Sequence, residues 1–453
     1  MPPSPAPVTV LEQFLAREPG TIMIHLHWVD LCGILRARVL TKSRCQKVAA
    51  SGQPARGLPR PYLGHTDCND VPESYLPATR SLLCPDWTSL RWIREGHASV
   101  MCDVREDNES YGDCDLGDTF DRCSRYALGR IVRALYAEHQ LTVIIGIEIE
   151  FFLVDKPSPG DWPRIDTVQA YNHASQASSV RDKAEIVLVA CIQHLERCGI
   201  SVEQYHAEGG SQQLEISLSA LEAIAAADAY VRSKEIISNA ASLHGQLATF
   251  LPQPFEGAPT SGLHVHASFT KGSPDSQHAN IPHFIAGVLG RLPLLCAFAM
   301  PSEDSYKRVS SLVTGTWVSW GTENRDNPVR RIEDNHWEFR AIDCMANIYV
   351  VLSAYLGAGL LGLQEDEHLR WGDNRHFQHR LDDAQRTQLG IGPEQLPTSL
   401  QEAATLLRSD MRGLDAVMGP KLVDLFVVVQ EAQQVLASRM SADTRAALAF
   451  DAY

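Results

Sequence analysis

Apolar residues recur along this chain with two periods, and the period switches from segment to segment. Val8 to Ala16 carries them at helical spacing, which predicts an amphipathic opening helix behind a short Pro-rich tail. Ile22 to Val29 alternates apolar and polar positions as a strand does, and Leu35 to Leu40 reads as its hairpin partner across a turn at Gly33. Residues 51 to 76 are rich in Gly, Pro and polar side chains and read as loop. A second strand-like stretch, Ala98 to Val104, runs into the acidic segment Arg105 to Asp118. That change in composition sets the expected organisation: a tail and opening helix at 1–20, a small N-terminal domain at 21–112 and a large domain at 113–453.

Past the boundary, Leu128, Ile131, Val132 and Leu135 recur at helical spacing. Strands are predicted at Val143 to Leu153, Leu214 to Leu218, Leu263 to Phe269 and Trp337 to Ile342. An Ala-rich helix is expected from Ala220 to Leu243, ended near Gly245. Cys344 to Gln364 carries no formal charge and is long enough to span a bilayer. It also holds Asn347, Ser353 and three glycines and is followed by acidic clusters, so it reads as a buried core helix. Gly357, Gly359 and Gly362 spell G-x-G-x-x-G, but inside a helical run that pattern means close helix packing rather than a dinucleotide loop. Strands and helices do not alternate regularly, so the expected class is α+β rather than a doubly wound sheet. There is no internal repeat.

Charge and cysteine narrow the function classes. With 40 Lys and Arg against 55 Asp and Glu, the formal charge of -15 repels polyphosphate backbones and anionic membranes. No nucleic-acid or membrane partner is expected. The eleven cysteines are odd in number, and no two form C-x-x-C. Cys191, Cys296 and Cys344 lie in apolar stretches and read as small buried hydrophobes. The opening MPPSPAPVTV lacks a basic n-region and an apolar h-region, so a cytoplasmic setting is expected. Asn108-Glu109-Ser110 is then a glycosylation sequon by pattern only.

Four strand-like segments carry the chemistry. In Gly146-Ile-Glu148-Ile-Glu150-Phe the two carboxylates are two residues apart, and side chains so spaced share one face of a strand. Leaving both ionised and unpaired there is costly, and either a divalent cation or paired Arg and Lys would relieve it. Glu208-Gly-Gly-Ser-Gln-Gln-Leu-Glu215 sets a loop carboxylate and a strand carboxylate about a Gly-Gly turn; taken singly, either could be solvated. Ser261-Gly-Leu-His264-Val-His266-Ala-Ser268 puts two histidines on one face, as ligands or as a hydrogen-bonded core pair. In His336-Trp-Glu338-Phe-Arg340, Glu338 and Arg340 share a face, which suits a ligand or a plain ion pair. Arg308, Arg325, Arg330 and Arg331 precede them, as an anion-recognition set or a solvated basic surface. Taken together, five carboxylates and one or two imidazoles form an oxygen-rich set suited to Mg²⁺ or Mn²⁺ rather than structural zinc. Arginines beside such a set are the equipment of phosphoryl transfer. No Walker A sequence or kinase signature is present, so a nucleotide must be held by another architecture.

In this order the motifs resemble the glutamine synthetase superfamily, from about Met23 to the C-terminus. The resemblance is carried by Val29-Asp30-Leu-Cys-Gly33, Cys84-Pro-Asp86, Glu148-Ile-Glu150-Phe-Phe-Leu153, Glu208 to Glu215 and Ser261-Gly-Leu-His264-Val-His266. It continues through Ser305-Tyr-Lys-Arg308, Trp320-Gly-Thr-Glu-Asn324-Arg325, and Glu338-Phe-Arg340 with Asp343 and Asn347. The phrase from Gly315 to Arg325 looks most like a divergent branch found in fungi. The resemblance implies a small β-grasp-like N-terminal domain and a large catalytic α+β domain with a curved antiparallel sheet. It also implies a homo-oligomeric double ring with active sites at subunit interfaces, ATP as cosubstrate, and two or more Mg²⁺ or Mn²⁺ ions per site.

Carried over by position, Glu150, Glu208 and Glu215 would hold one metal, and Glu148, His264 and Glu338 the other. His266, Ser268, Arg330 and His336 would lie at the nucleotide, with His336 in the place of a family arginine. Arg325 and Arg330 would contact the transferring phosphate as catalytic groups, and Arg308, Arg340, Gln213 and Gly262 would bind the carboxylate substrate. Four further features depart from the family pattern. Ammonia-using members place a glutamate a few residues after Ser-Tyr-Lys-Arg, but Val309 to Thr322 contains no Asp or Glu, and Thr314 falls near that place. The family's Asp-Gly-Ser-Ser loop has no counterpart, and Arg56 to Asp70 fills the region. Pro259-Thr260 replaces an Asn-Gly, and Gln212 replaces a glycine.

The expected function is an ATP-dependent carboxylate–amine ligase of the γ-glutamyl-amide type. It would act through an acyl phosphate on a small carboxylic acid and an amine other than ammonia. The competing readings are glutamine synthetase proper, with Asp67 or Asp70 supplying the missing carboxylate, a phosphotransferase that stops at the phosphorylated acceptor, and a non-catalytic relative.

Overall fold

The computed structural model describes residues 6–55, 57–68, 70–72, 80–107, 120–156, 174–175, 183–271, 280–440, 444–445 and 448–450. The start of the tail, the sequon at 108–110 and the domain boundary expected at 112/113 lie outside the described residues.

The first part contains α1 (Pro7–Arg17), β1 (Met23–Val29), β2 (Leu35–Thr41), α2 (Lys42–Ser51), β3 (Gly57–Pro59), β4 (Arg80–Pro85), β5 (Arg91–Arg94) and β6 (His97–Glu106). The alternation of Ile22 to Val29 does form a strand, paired antiparallel with β2 and parallel with β6 in a six-stranded sheet. Leu11 and Phe14 of α1 and Cys45, Val48 and Ala49 of α2 close a core over Ile24, Leu26, Ala98 and Val100. The loop-like stretch after residue 51 contains β3 and a 3₁₀ turn at Arg60–Leu63, elements too short to show a period.

The larger part contains α3 (Ser124–His139), β7 (Leu141–Asp155), α4 (Lys183–Arg197), β8 (Val202–Ala207), β9 (Gln213–Glu222), α5 (Ala223–Leu243) and β10 (Gln246–Thr249). It continues with β11 (Leu263–Lys271), α6 (Ile281–Ala299), β12 (Trp320–Thr322), β13 (Val329–Glu333), β14 (His336–Phe339) and α7 (Ile348–Gln364). Helices α8 (Asp383–Gln388), α9 (Leu400–Ser409), α10 (Leu414–Met418) and α11 (Pro420–Ser438) complete it. The eight-stranded sheet has the order β12-β13-β14-β11-β7-β9-β8, with β10 paired to the far end of β7. All its pairings are antiparallel except β12 with β13. Several boundaries shift from expectation, two of them with consequence: Ala220 to Glu222 prolong β9, so the Ala-rich helix begins at Ala223, and β14 stops at Phe339.

The uncharged run is the buried core helix α7, capped by Asn347, whose Oδ1 accepts from the Tyr349 and Val350 amides. The Asn347 amide nitrogen donates to the Asp30 carbonyl at 2.7 Å, joining α7 to the turn after β1. A Cβ on Gly33 in that turn would lie 2.6 Å from the Met345 carbonyl, so the close approach and the positive φ of 83° both require glycine. Cys191, Cys296 and Cys344 are buried, as their apolar context predicts. One described helix, α6, is long and apolar enough to cross a membrane, and 83% of its most apolar window is buried within the fold. It packs on α7 through glycines: a Cβ on Gly359 would sit 2.1 Å from the Phe284 ring, and one on Gly362 2.3 Å from the His283 carbonyl. The G-x-G-x-x-G pattern is therefore a helix-packing seam. Gly359→Ala should destabilise the fold by about 1–3 kcal/mol through overpacking, measured by denaturant unfolding, because the buried Phe284 ring has no room to retreat. An unchanged midpoint would show that α6 and α7 can separate freely.

Candidate active site

Strand register alone brings the expected groups to one face. Glu148 on β7 pairs with His264 on β11, and Glu150 pairs with Glu215 on β9. His266 pairs with Glu338 on β14, which in turn pairs with Arg330 on β13. Because side chains alternate, Glu148 with Glu150 and His264 with His266 all emerge on the same side. Gly146, opposite His266, leaves that ring space; a Cβ there would meet the His266 Cβ at 3.4 Å. Glu208 joins from the β8–β9 turn, where its amide donates to the Gln213 carbonyl at 2.9 Å. Gly210 makes this turn possible, since a Cβ would strike Gln213 Oε1 at 2.7 Å and the Phe152 ring at 2.9 Å.

The side chains form a connected network. His264 Nδ1 lies 3.2 Å from Glu148 and 3.6 Å from Glu338, and its Nε2 lies 3.6 Å from Glu150. His266 Nε2 is 3.3 Å from Glu148, and its Nδ1 is 2.9 Å from His336. Arg330 pairs with Glu338 at 3.1 Å and also with Glu323, and Arg340 pairs with Glu338 from the other side. Three subsets have ligand atoms close enough to share an ion: Glu148, His266 and Glu338; Glu148, Glu215 and His264; and His206, Glu208 and Glu215.

His206 is the residue the sequence reading missed. It lies 3.3 Å from Glu208 and 3.1 Å from Glu215, opposite Glu215 in register. Its position two residues before Glu208 was the available signal.

Charge crowding sets the protonation. Burial alone would raise Glu148, yet hydrogen bonds from His264 and His266 hold its carboxyl far below the usual range. Glu338 resists burial in the same way, held down at about 2 by Arg340 and the two imidazoles. For Glu208 the rescue is incomplete: burial, then Glu150 and Glu215, push it up to about 7 against the weaker pull of His206 and His264. The Glu215 carboxylate raises His206 to about 9. Burial and the neighbouring His266 lower His336.

The remaining expected residues fall into two groups. Arg308 is fully buried, gives one hydrogen bond to the Arg340 carbonyl at 3.0 Å, and has no ion pair among the described residues. A Cβ on Gly262 would lie 2.6 Å from its guanidinium, so Gly262 is the bed on which Arg308 rests. The Nε atoms of Arg308, Arg330 and Arg340 are buried and have no hydrogen-bond partner among the described residues. Such orphaned donors beside a hard oxygen-rich set fit divalent ions and an anionic substrate. Ser268 sits opposite His336, half-buried on the same face.

Gln213 is different. Its Oε1 accepts from the Gly210 amide, and its Nε2 donates to the Thr260 carbonyl, to Ser261 and, at 3.4 Å, to the Glu150 carboxylate. Arg325 is not brought to the cluster; it is exposed and lines a separate groove with Arg375 and Arg380. Thr314 is buried and its hydroxyl donates to the Arg308 carbonyl at 2.7 Å. Asp67 lines another cavity, of about 830 Å³, with Pro252, Ser302 and Gln430.

Comparison with known proteins fits this geometry. The family described as glutamine synthetase, catalytic domain, matches residues 121–445. Protein fluG of Emericella nidulans is 29% identical over 447 residues, covering 96% of this chain and 49% of that protein, so the chain spans about half its length. Gamma-glutamylpolyamine synthetase GlnA3 of Streptomyces coelicolor is 29% identical over 434 residues, covering 91% of this chain and 89% of that protein. Among solved structures, a GmaS/ADP complex superposes with a TM-score of 0.78 at 22% identity, over 95% of this chain and 97% of its own, a likeness of fold.

Binding of Mg²⁺ at this face should release protons, because Glu208 with a pKa of about 7 and His206 at about 9 must both give them up. Affinity should therefore rise with pH, by about tenfold or more between pH 6.5 and 8.5, as titration calorimetry in buffers of different ionisation enthalpy would read. Buffer-independent heats would contradict this.

Proposed function

This chain belongs to the glutamine synthetase family, and we propose that it is an ATP-dependent ligase joining a carboxylic acid to an amine other than ammonia. The observation that carries the ligase reading is the single sheet face on which Glu148, Glu150, Glu208, Glu215, Glu338 and His264 converge. On this reading those six hold the divalent ions. Mg²⁺ or Mn²⁺ bound there would neutralise the phosphate oxygens of ATP. His266, Ser268 and His336 flank the nucleotide. Arg330, fixed between Glu323 and Glu338, stands at the transferring phosphoryl group, and Arg325 faces the neighbouring groove. Arg308 and Arg340 orient the substrate carboxylate, and Gly262 and Gln213 shape the wall behind it.

The acid's carboxylate oxygen attacks the terminal phosphorus and ADP departs, leaving an acyl phosphate. The amine nitrogen then attacks the acyl carbon, phosphate leaves, and the nitrogen gives up a proton. The two steps place different demands on the chain. Phosphoryl transfer needs the charge set described above. Capture of ammonium needs a carboxylate near the acyl carbon, and Val309 to Thr322 offers none; the Thr314 hydroxyl is committed to a carbonyl. Without that attraction, a larger amine can supply its own binding energy through its body. The polyamine named in GlnA3 supports a non-ammonia amine in this branch. Retention of every expected metal ligand argues against a non-catalytic scaffold, which gains nothing from buried like charges. A homo-oligomeric ring with shared active sites belongs to the same proposal.

Phosphate release with ATP and Mg²⁺ across a panel of acids and amines tests this. An organic amine should support turnover at least about tenfold above ammonium, and Glu150→Ala should lower it by about 10²-fold or more. Rapid glutamine formation from glutamate and ammonium would overturn the amine assignment. ADP formed without any amide would point to the phosphotransferase instead.

A further inference from the structure

Beside the carboxylate face lies a groove of about 570 Å³ between the turn Thr322–Arg325 and the segment Arg375–Gln385. In a chain of net charge -15 its lining is strongly cationic: Arg325, Arg375 and Arg380, with Glu323 the one carboxylate among the lining residues. Glu323 is spent on Arg330 and Arg375 pairs with Asp373 at 2.8 Å. The guanidinium groups of Arg325 and Arg380 have no carboxylate partner among the described residues. Arg380 lies over the ring of Phe377, 5.1 Å from its centre, and Phe377 is 40% exposed. The groove thus combines two unpaired planar cations with an apolar ring, the pairing that recognises a carboxylate attached to a carbon body.

The groove is joined to the proposed site by contacts within the chain. The ion pairs run Glu323–Arg330–Glu338, so the groove wall is one arginine away from the metal-competent face. Asp326, next to Arg325 in sequence, accepts from Ser311 Oγ at 3.0 Å and from the backbone of Leu312 and Gln378. The segment that carries Thr314 is therefore fastened to the groove's far wall. The groove is thus the cationic surface that adjoins this segment.

We propose that the groove binds the far end of the acyl acceptor and that this end carries a carboxylate. The inference rests on the ligase reading of the neighbouring face and adds the acceptor's class, an amine with an anionic tail. A diamine fits the same length but brings a cation to Arg325 and Arg380, and like-charge contact opposes it.

Two probes of equal chain length separate the cases: 4-aminobutyrate and 1,4-diaminobutane, titrated calorimetrically into the full chain with ADP and Mg²⁺. The carboxylate probe should bind at least about tenfold tighter than the diamine. Arg380→Glu should weaken the carboxylate probe by about tenfold while ADP affinity stays within about twofold, and Arg380→Lys should keep most of the binding. Equal binding of the two probes, binding of neither, or a preference untouched by Arg380→Glu would overturn the proposal. An equal loss of ADP affinity would also overturn it, assigning the groove to the nucleotide. The readout is binding, so its failure leaves the ligase reading standing, while absence of turnover across the acid and amine panel removes the ligase reading without touching this result.

Discussion

Five carboxylates cannot share one face of a sheet unless positive charge stands among them. At about 4 Å, two like charges repel by about 4 kcal/mol at the effective dielectric of a protein edge, and desolvation adds to that cost. In this chain the repulsion is met by imidazoles and guanidinium groups placed by strand register. His264 sits between Glu148, Glu150 and Glu338; His206 bridges Glu208 and Glu215; Arg330 and Arg340 flank Glu338. The balance is incomplete, since Glu208 rises to about 7 instead of ionising freely. Glu208 therefore keeps its proton to higher pH than a free carboxylate, and a divalent ion at this face would have to displace that proton.

Such a face needs a stiff support, and the buried polar contacts between the two sheets supply it. Arg125 on α3 binds Asp228 on α5 at 3.0 Å and also reaches Asp103 of β6 and Asp86 beyond β4. Its strength comes from the burial of the cation and Asp228 together with the number of bonds, since a lone exposed pair contributes little. Asn347 adds a second tie, capping α7 while donating to the Asp30 carbonyl. The glycine seam between α6 and α7 brings two apolar helices into backbone contact behind the sheet. Each device holds backbone in place, and the ligand geometry follows from backbone register.

The parts of this arrangement that are local in sequence were legible. Period two in Glu148-Ile-Glu150 and His264-Val-His266 fixed which side chains share a face, and those pairs do. The uncharged run and its glycines read correctly as a core helix because composition and spacing suffice for that. What could not be read was partnership across the sheet. His206 carries no motif of its own, and only its register with Glu215 makes it part of the site. Arg325 looked like a member of the cluster by its neighbours in sequence, yet the turn after β12 sends it outward. Gln213 carries a residue type suited to substrate, and only the fold shows that the Gly-Gly turn, Thr260, Ser261 and Glu150 fix its amide in place. Helix α6 shows no amphipathic period because it is buried nearly all round, Arg291 included, and carries an internal proline.

The segment around Thr314 is where scaffold and specificity meet. Arg340 both steadies Glu338 and donates to the Val313 carbonyl at 3.3 Å, so the carboxylate face and this segment share one side chain. On the other side, Gln378 accepts from the Thr316 and Trp317 amides at 2.7 and 3.1 Å, and Asp326 accepts from Ser311 and Leu312. Only Leu312 stands out, at 63% exposure and a positive φ of 71°. A segment pinned at both ends and strained at its tip can shift little without breaking buried hydrogen bonds, each costing about 1–3 kcal/mol when left unmade. On the proposed reading the wall facing the acceptor is thus preformed and has no charged residue of its own from Val309 to Thr322, with Arg325 and Arg380 in the groove beside it. On that reading ammonium would gain nothing from such a wall, whereas an extended acceptor would lie along it and be read by its far end.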